Sequence, residues 1–123
     1  MAHEIPIFDI GSLKAAADLS SYQYHGVYLS AQDTVNLSTS SGGECIGILQ
    51  NKPAAAGRSA QVRIHGVSQG IFGATVAAGA RVMCDTGGHF ITATTGLKYI
   101  GRAIEGGAVT QRGSILMEHG YVP

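Results

Sequence analysis

Short stretches in which apolar and polar residues alternate recur along the chain, and clusters of Gly, Asn, Asp or Ser separate them. Alternation with a period of two points successive side chains to opposite faces of a strand, so each stretch predicts one β-strand. No apolar pattern with helical spacing extends beyond a turn or two. The predicted strands are 22–29, 34–37, 45–50, 60–67, 70–74, 81–85, 90–94, 98–105 and 114–119. This pattern predicts an all-β fold, a small single-domain β-sandwich or barrel.

The clearest alternation lies in AQVRIHGV at 60–67. Val62, Ile64 and Gly66 share one face of this predicted strand, and we expect that face to point inward. Gln61, Arg63 and His65 share the other face. His65 is therefore predicted on the side that meets solvent or a partner.

The first 21 residues follow a different pattern. IPIFDIG (5–11) gathers apolar side chains around Pro6, and SLKAAADLSS (12–21) has weak helical character. Because proline has no N–H to donate to a sheet, Pro6 limits this stretch to an edge strand or an extended arm. The segment could fold back as an edge strand, or dock on a neighbouring chain by strand addition. We therefore divide the chain into an N-terminal arm or edge segment, 1–21, and a β-domain, 22–123.

Composition favours a component of an assembly. The chain has 123 residues, enough for one domain, and only 13% of them are charged, against about 25% in an average protein. A surface this poor in charge suits contact with protein. Eight basic and eight acidic residues balance, and no Lys/Arg cluster exists, so no nucleic-acid partner is expected. No run of 18 apolar residues is present, so no membrane partner is expected either.

The two cysteines, Cys45 and Cys84, are far apart in sequence and form no CxxC motif. The simplest interpretation is two buried, reduced thiols in a protein made in a cytosol. Two alternatives stay open, a Cys45–Cys84 disulfide and a metal site completed by His65 and His89. Zinc ligands usually occur in closer pairs, which weighs against the metal site. We predict no cofactor.

The triplet Asp85-Thr86-Gly87 matches the catalytic turn of retroviral-type aspartic proteases. Such enzymes need two carboxylates about 3 Å apart that share a proton, and a Gly-rich flap over them. Only 38 residues follow Asp85, too few for the flap and the closing strands. Asp also begins turns by accepting hydrogen bonds from nearby N–H groups, and Gly87 and Gly88 tolerate positive φ. Asp85 is therefore predicted to form a turn, and the chain not to be an enzyme.

Taken as a whole, residues 60–117 resemble the head decoration, or capsid cement, proteins of tailed bacteriophages. The resemblance rests on Gly spacings and strand endings in AGARVMCD (78–85) and in the segment 92–105, TATTGLKYIGRAIE. The upstream segment GGECIGILQNKPAAAGRSAQV (42–62) is similar to the first half of that family. Two features depart from it, the long segment before the first predicted strand and Cys84, where an aromatic residue is common.

The resemblance implies a β-tulip-like fold with an extended N-terminal arm. It further implies a homotrimer on the outer surface of the virion, at threefold positions of the expanded icosahedral shell. There it would bind the major capsid protein and stabilise the shell, after synthesis in the host cytoplasm. The predicted capsid-contact residues of the arm are Ile5, Pro6, Ile7, Phe8 and Ile10. Removing residues 1–20 is expected to leave the β-domain folded and to weaken attachment.

A second function remains open at this stage. A tail or adhesin β-module that binds a receptor or a glycan would show a similar strand pattern. An exposed aromatic platform would favour it, but the chain has no Trp.

Overall fold

The computed structural model describes residues 8–39, 45–94 and 96–121. Within these ranges the chain forms ten β-strands and no helix, which confirms the all-β class. The strands are β1 Phe8–Ala15, β2 Gly26–Ala31, β3 Thr34–Leu37, β4 Cys45–Leu49, β5 Ser59–His65, β6 Val67–Ile71, β7 Arg81–Cys84, β8 Phe90–Thr92, β9 Lys98–Ala103 and β10 Arg112–Tyr121. In the part of the chain so described, no helix is long and apolar enough to cross a bilayer.

The first five strands close into a barrel with the order β1-β3-β2-β4-β5. β1 completes the circle, since it pairs in parallel with β3 and antiparallel with β5. Closure leaves every strand of this sheet with two neighbours, which removes the open edges at which sheets associate with other chains. β1 is thus an integral strand of the barrel.

The last five strands form a second sheet with the order β6-β10-β9-β7-β8. All of its neighbouring strands are antiparallel. An isolated bridge between Phe72 and Phe90 brings the residue after β6 beside the start of β8, so the sheet curls strongly. Both rings are fully buried and fill the space that this curl encloses.

Each sheet encloses its own apolar core, and β4 belongs to both. The barrel core is formed by Leu13, Ala15, Leu19, Val27, Val35, Leu49, Ala60 and Val62. The core of the second sheet contains Cys45, Ile48, Phe72, Val76, Val82, Cys84, Phe90, Ile100, Ala103, Ile115 and Met117. Ile48 and Leu49 point to opposite faces of β4, one into each core. Because one strand serves both cores, the two sheets form one packed unit.

For the N-terminal segment the sequence leaves both an edge strand and an extended arm open, and its described residues contain a strand rather than a helix. Residues 8–15 form β1, in which Leu13 and Ala15 are buried in the barrel while Lys14 between them is exposed. The pairing of β1 with β3 and β5 therefore outweighs the helix preference of Leu, Lys and Ala. Leu19 is also buried in the barrel core. From this pairing and burial we expect, contrary to the prediction from the sequence, that residues 1–20 are needed for folding.

Three of the other predicted strands have wrong bounds because a residue with positive φ lies within or beside them. Gly66 has φ 96°, which ends β5 and starts β6 at Val67, so the predicted strand 60–67 is divided and 70–74 begins too late. Tyr24 has φ 67°, and the chain turns there before β2 starts at Gly26. Within β5 the predicted alternation is confirmed, with Val62 buried and Gln61 and His65 exposed.

Candidate functional site

The start of β1 is the described part of the predicted capsid-contact segment. Ile5, Pro6 and Ile7 lie outside the described residues. Phe8 is paired with His65 at the end of β5, and the residue is 58% exposed. Ile10 is half-buried and packs against the barrel core. Phe8 therefore offers an exposed apolar side chain, whereas the side chain of Ile10 mainly holds β1 in the barrel.

An ion pair fixes the place where Phe8 emerges. Asp9 accepts hydrogen bonds from Arg63 Nε at 2.8 Å and from Arg63 Nη2 at 3.1 Å. Gln61 Nε2 donates to the same carboxylate at 2.8 Å. The Arg63 bonds are the main reason that the pKa of Asp9 lies below its usual value, so Asp9 is charged at neutral pH. Arg63 also donates to the carbonyl of Val67 at 2.9 Å, which ties β1 and β5 to the first residue of β6.

The Asp85 turn forms the seam between barrel and second sheet. Asp85 Oδ1 accepts from the N–H of Gly87 at 2.8 Å and from that of His89 at 3.0 Å, which confirms the predicted turn. Gly88 has φ 77°, and its carbonyl accepts the N–H of Gly26 at 2.7 Å. A Cβ on Gly88 would lie 2.5 Å from Leu37 Cδ1, so the turn fits closely against the barrel. Asp85, whose sequence context matches the catalytic turn of aspartic proteases, thus stabilises a turn of the backbone.

This role predicts different results for two substitutions of Asp85. Asn keeps an oxygen that can accept both N–H bonds, so Asp85→Asn should change the free energy of unfolding by less than about 0.5 kcal/mol. Asp85→Ala removes the acceptor and should destabilise by about 1–2 kcal/mol. Chemical denaturation monitored by circular dichroism measures both. Equal losses for the two variants would contradict the turn assignment.

His25 lies buried beside this turn. Its ring packs edge-on against His89, with centroids 4.8 Å apart, and against Tyr22 at 5.4 Å. His25 Nδ1 lies 3.1 Å from the carbonyl oxygen of Gln23. Burial is the main cause that lowers the pKa of His25 below its ordinary value of 6.5, and the neighbouring His89 lowers it further.

The depressed pKa of His25 predicts acid sensitivity. The folded state binds fewer protons than the unfolded chain below about pH 6.5, so protonation favours unfolding there. The contribution of neutral His25 to the free energy of unfolding is complete above pH 6.5, and it is lost as the pH falls through the pKa of His25 in the folded state. Partial desolvation also lowers the pKa of His119, so protonation of His119 destabilises the folded state at low pH as well. Urea midpoints should therefore fall between about pH 7 and pH 5, and less steeply in His25→Gln than in a His65→Gln control. Identical slopes in the two variants would refute this.

Cys45 and Cys84 meet between the two sheets. Both are buried and free. The position of a Cβ on Gly26 would lie 2.1 Å from Cys84 Sγ and 2.9 Å from Cys45 Sγ, so the two sulfurs are at most 5.0 Å apart. A hydrogen bond with Cys45, together with burial, raises the pKa of the Cys84 thiol well above its usual value. The structure therefore supports buried thiols, and their side chains meet above the smallest residue of β2.

The metal-site alternative fails on position. His65 lies at the end of β5 opposite Phe8, whereas His89 lies in the Asp85 turn. Across 8–39, 45–94 and 96–121, no group of three or more His, Cys, Asp or Glu side chains is arranged to hold a metal ion. The two histidines do not complete a site around the thiols.

The remaining candidate for function is the surface itself. Large apolar side chains that are exposed among the described residues are Phe8, Leu29, Ile104, Val109 and Leu116. They lie on β1, β2, β10 and the connection between β9 and β10. This distribution suits contact with partner proteins at several places.

Comparison with known proteins identifies a family and a solved structure that this chain resembles. The profile of a family described as phage cement protein matches residues 14–118, and the chain belongs to that family. The protein is accordingly a capsid-associated structural protein of a bacteriophage, a component of the virion. The matched range begins inside β1, so the predicted contact residues Ile5 to Ile10 lie before it. No match was found among curated protein sequences.

One solved structure with a similar fold is "The crystal structure of head fiber gp8.5 N base in bacteriophage phi29". Its TM-score is 0.67 at 15% sequence identity, and the alignment covers 98% of this chain and 99% of that one. At this identity the likeness shows a shared fold.

Proposed function

We propose that the protein is a cement protein that binds the outer surface of an icosahedral phage head and stabilises the expanded shell. It acts as a homotrimer at threefold positions, where each subunit bridges neighbouring major capsid proteins. The family match over residues 14–118 carries this proposal. A threefold position presents three equivalent sites, which a cyclic trimer can occupy together. Three weak contacts engaged at once give tight attachment.

The chemistry of the surface supports a protein partner. The chain has no net charge, so it has no general attraction to the packaged nucleic acid. Exposed apolar side chains such as Phe8 and Leu116 supply area that contact with protein would bury. The role needs no catalytic group and no cofactor, and a protein made in the host cytoplasm would keep Cys45 and Cys84 reduced.

We further propose that Ile5, Pro6, Ile7 and Phe8 contact the shell. Phe8 leaves the barrel at the Asp9–Arg63 ion pair, with its ring toward solvent. Ile5, Pro6 and Ile7, which precede it in the sequence, are apolar as well. Ile10 anchors the segment from inside, because its side chain packs on the barrel core.

Co-sedimentation with empty heads of the matching phage tests this function. Wild-type protein should bind expanded heads saturably, at about three copies per threefold position, and unexpanded heads weakly. A variant without residues 1–7 should keep its circular dichroism spectrum and bind at least about tenfold more weakly. Leu29→Ser removes exposed apolar area outside the segment, so it should weaken binding less than the deletion does if the segment is the main contact. Failure of the wild type to bind either form would refute the proposal and favour a receptor-binding or glycan-binding module of a tail.

A further inference from the structure

Two arginines face each other on the second sheet. Arg81 of β7 is the direct register partner of Arg102 of β9. Like charges directly opposite each other on a sheet repel. One carboxylate offsets this repulsion in part, since Glu118 Oε1 accepts from Arg102 Nε at 3.0 Å. The three side chains together keep one positive charge.

Among the described residues Arg81, unlike Arg102, has no carboxylate partner. Its guanidinium carbon lies 5.1 Å from the centroid of the Tyr99 ring, which holds the side chain in place. Its Nε is buried and has no hydrogen-bond partner in the described structure. Buried donors are nearly always satisfied in folded proteins, so an unsatisfied one calls for an explanation. A bound acceptor would provide it.

Arg81 and Arg102 also line a surface depression. Its volume is about 330 Å³, and its lining residues are Gly79, Ala80, Arg81, Thr92, Ala93 and Arg102. The space exists because three of these residues are Gly or Ala. The N–H groups of Gly79 and Ala93 already donate to backbone carbonyls, at 2.7 and 2.8 Å. These two N–H groups are therefore already used, and the charged donors that a ligand would meet in the depression are the guanidinium groups of Arg81 and Arg102.

We propose that Arg81 and Arg102 bind the carboxylate of an Asp or Glu side chain from a partner protein. A guanidinium presents parallel N–H groups that match the two oxygens of a carboxylate. One carboxylate adds a single negative charge, which neutralises the charge left by Glu118. A phosphate group would add about −1.5 to −2 and leave the site negative. The carboxylate is therefore the better match. That the partner is the capsid rests on the proposed function, whereas the preference of the site for a carboxylate does not.

The isolated protein tests the site without any capsid. Acetate should shift the NMR signal of the Arg81 Nε–H group saturably, and sodium chloride at equal ionic strength should not. Arg112 is a matched control, because its guanidinium also stacks on a tyrosine, 5.2 Å from the Tyr24 centroid. Its signal should stay in place. A linear, unsaturated shift, an equal shift at Arg112, or tighter binding of inorganic phosphate than of acetate would overturn the assignment.

A binding assay with heads then tests the partner. Arg81→Lys keeps the positive charge but loses the paired N–H donors of the guanidinium, so this variant should bind heads about tenfold more weakly. Arg112→Lys should bind heads as tightly as the wild type. Circular dichroism confirms that both variants fold. Unchanged binding of Arg81→Lys would overturn the partner contact. If the wild-type protein binds no heads, the proposed function fails while the acetate titration still decides the site.

Discussion

A variant that lacks residues 1–20 is expected to lose its folded state. The deletion removes β1, which pairs with both β3 and β5 and closes the barrel. It also removes Leu13 and Leu19 from the core, and full burial of each stabilises by about 2–3 kcal/mol. Loss of the strand pairing adds to this, and a domain of this size has only about 5–15 kcal/mol in total. Circular dichroism and urea titration should show no cooperative unfolding transition.

A shorter deletion is the control for this experiment. Removing residues 1–7 leaves β1 whole, so the cooperative transition should remain with a similar midpoint. A folded, cooperative protein without residues 1–20 would show that the barrel does not need β1, and would contradict the topology described here.

The second large effect is expected at Gly26. A methyl group there would lie 2.1 Å from Cys84 Sγ and 2.9 Å from Cys45 Sγ, far inside van der Waals contact. Both sulfurs are buried in the core of the second sheet, so neither can move without displacing its neighbours. Gly26→Ala should therefore destabilise by about 2–3 kcal/mol, or more if the backbone shifts. Chemical denaturation measures the loss.

A double-mutant cycle separates this clash from a general effect of the substitution. Cys84→Ala removes the nearest sulfur, so Gly26→Ala should cost at least about 1 kcal/mol less in that background. Gly11→Ala is the matched control, because Gly11 also lies in a strand but has nothing within 4 Å of its Cβ position. It should change stability by less than about 0.5 kcal/mol. Additive effects at Gly26 and Cys84 would show that the sulfurs do not meet above Gly26.

The strands that could be predicted from sequence are those whose burial alternates locally. β5 is the clearest case, since Val62 faces the core and Gln61 faces solvent as the pattern indicates. For β1 the sequence leaves an edge strand and an arm both open, because its partners β3 and β5 lie far along the chain and a local pattern does not show that pairing. The positive φ of Tyr24 also has no local signal, since the alternation around it is that of a strand.

The candidate sites also differ in whether a local sequence pattern is enough to predict them. The Asp85 turn was predictable because Asp and the following glycines carry the turn within four residues. The contact between Cys45 and Cys84, and that between Arg81 and Arg102, depend on strand register across the fold. Alternation placed Arg63 and His65 on an outer face, but it cannot show which arginines lie opposite each other. Such pairs become visible once the sheet order is known.

The most direct test of the central claim measures the shell rather than the protein. DNA-filled heads that lack this protein are heated stepwise with and without added protein, and released DNA is measured by accessibility to nuclease. The proposed cement function predicts that saturating protein raises the temperature of DNA release, and that a variant without residues 1–7 raises it less. Saturable binding to the heads with an unchanged release temperature would contradict it, because the protein would then decorate the shell without stabilising it.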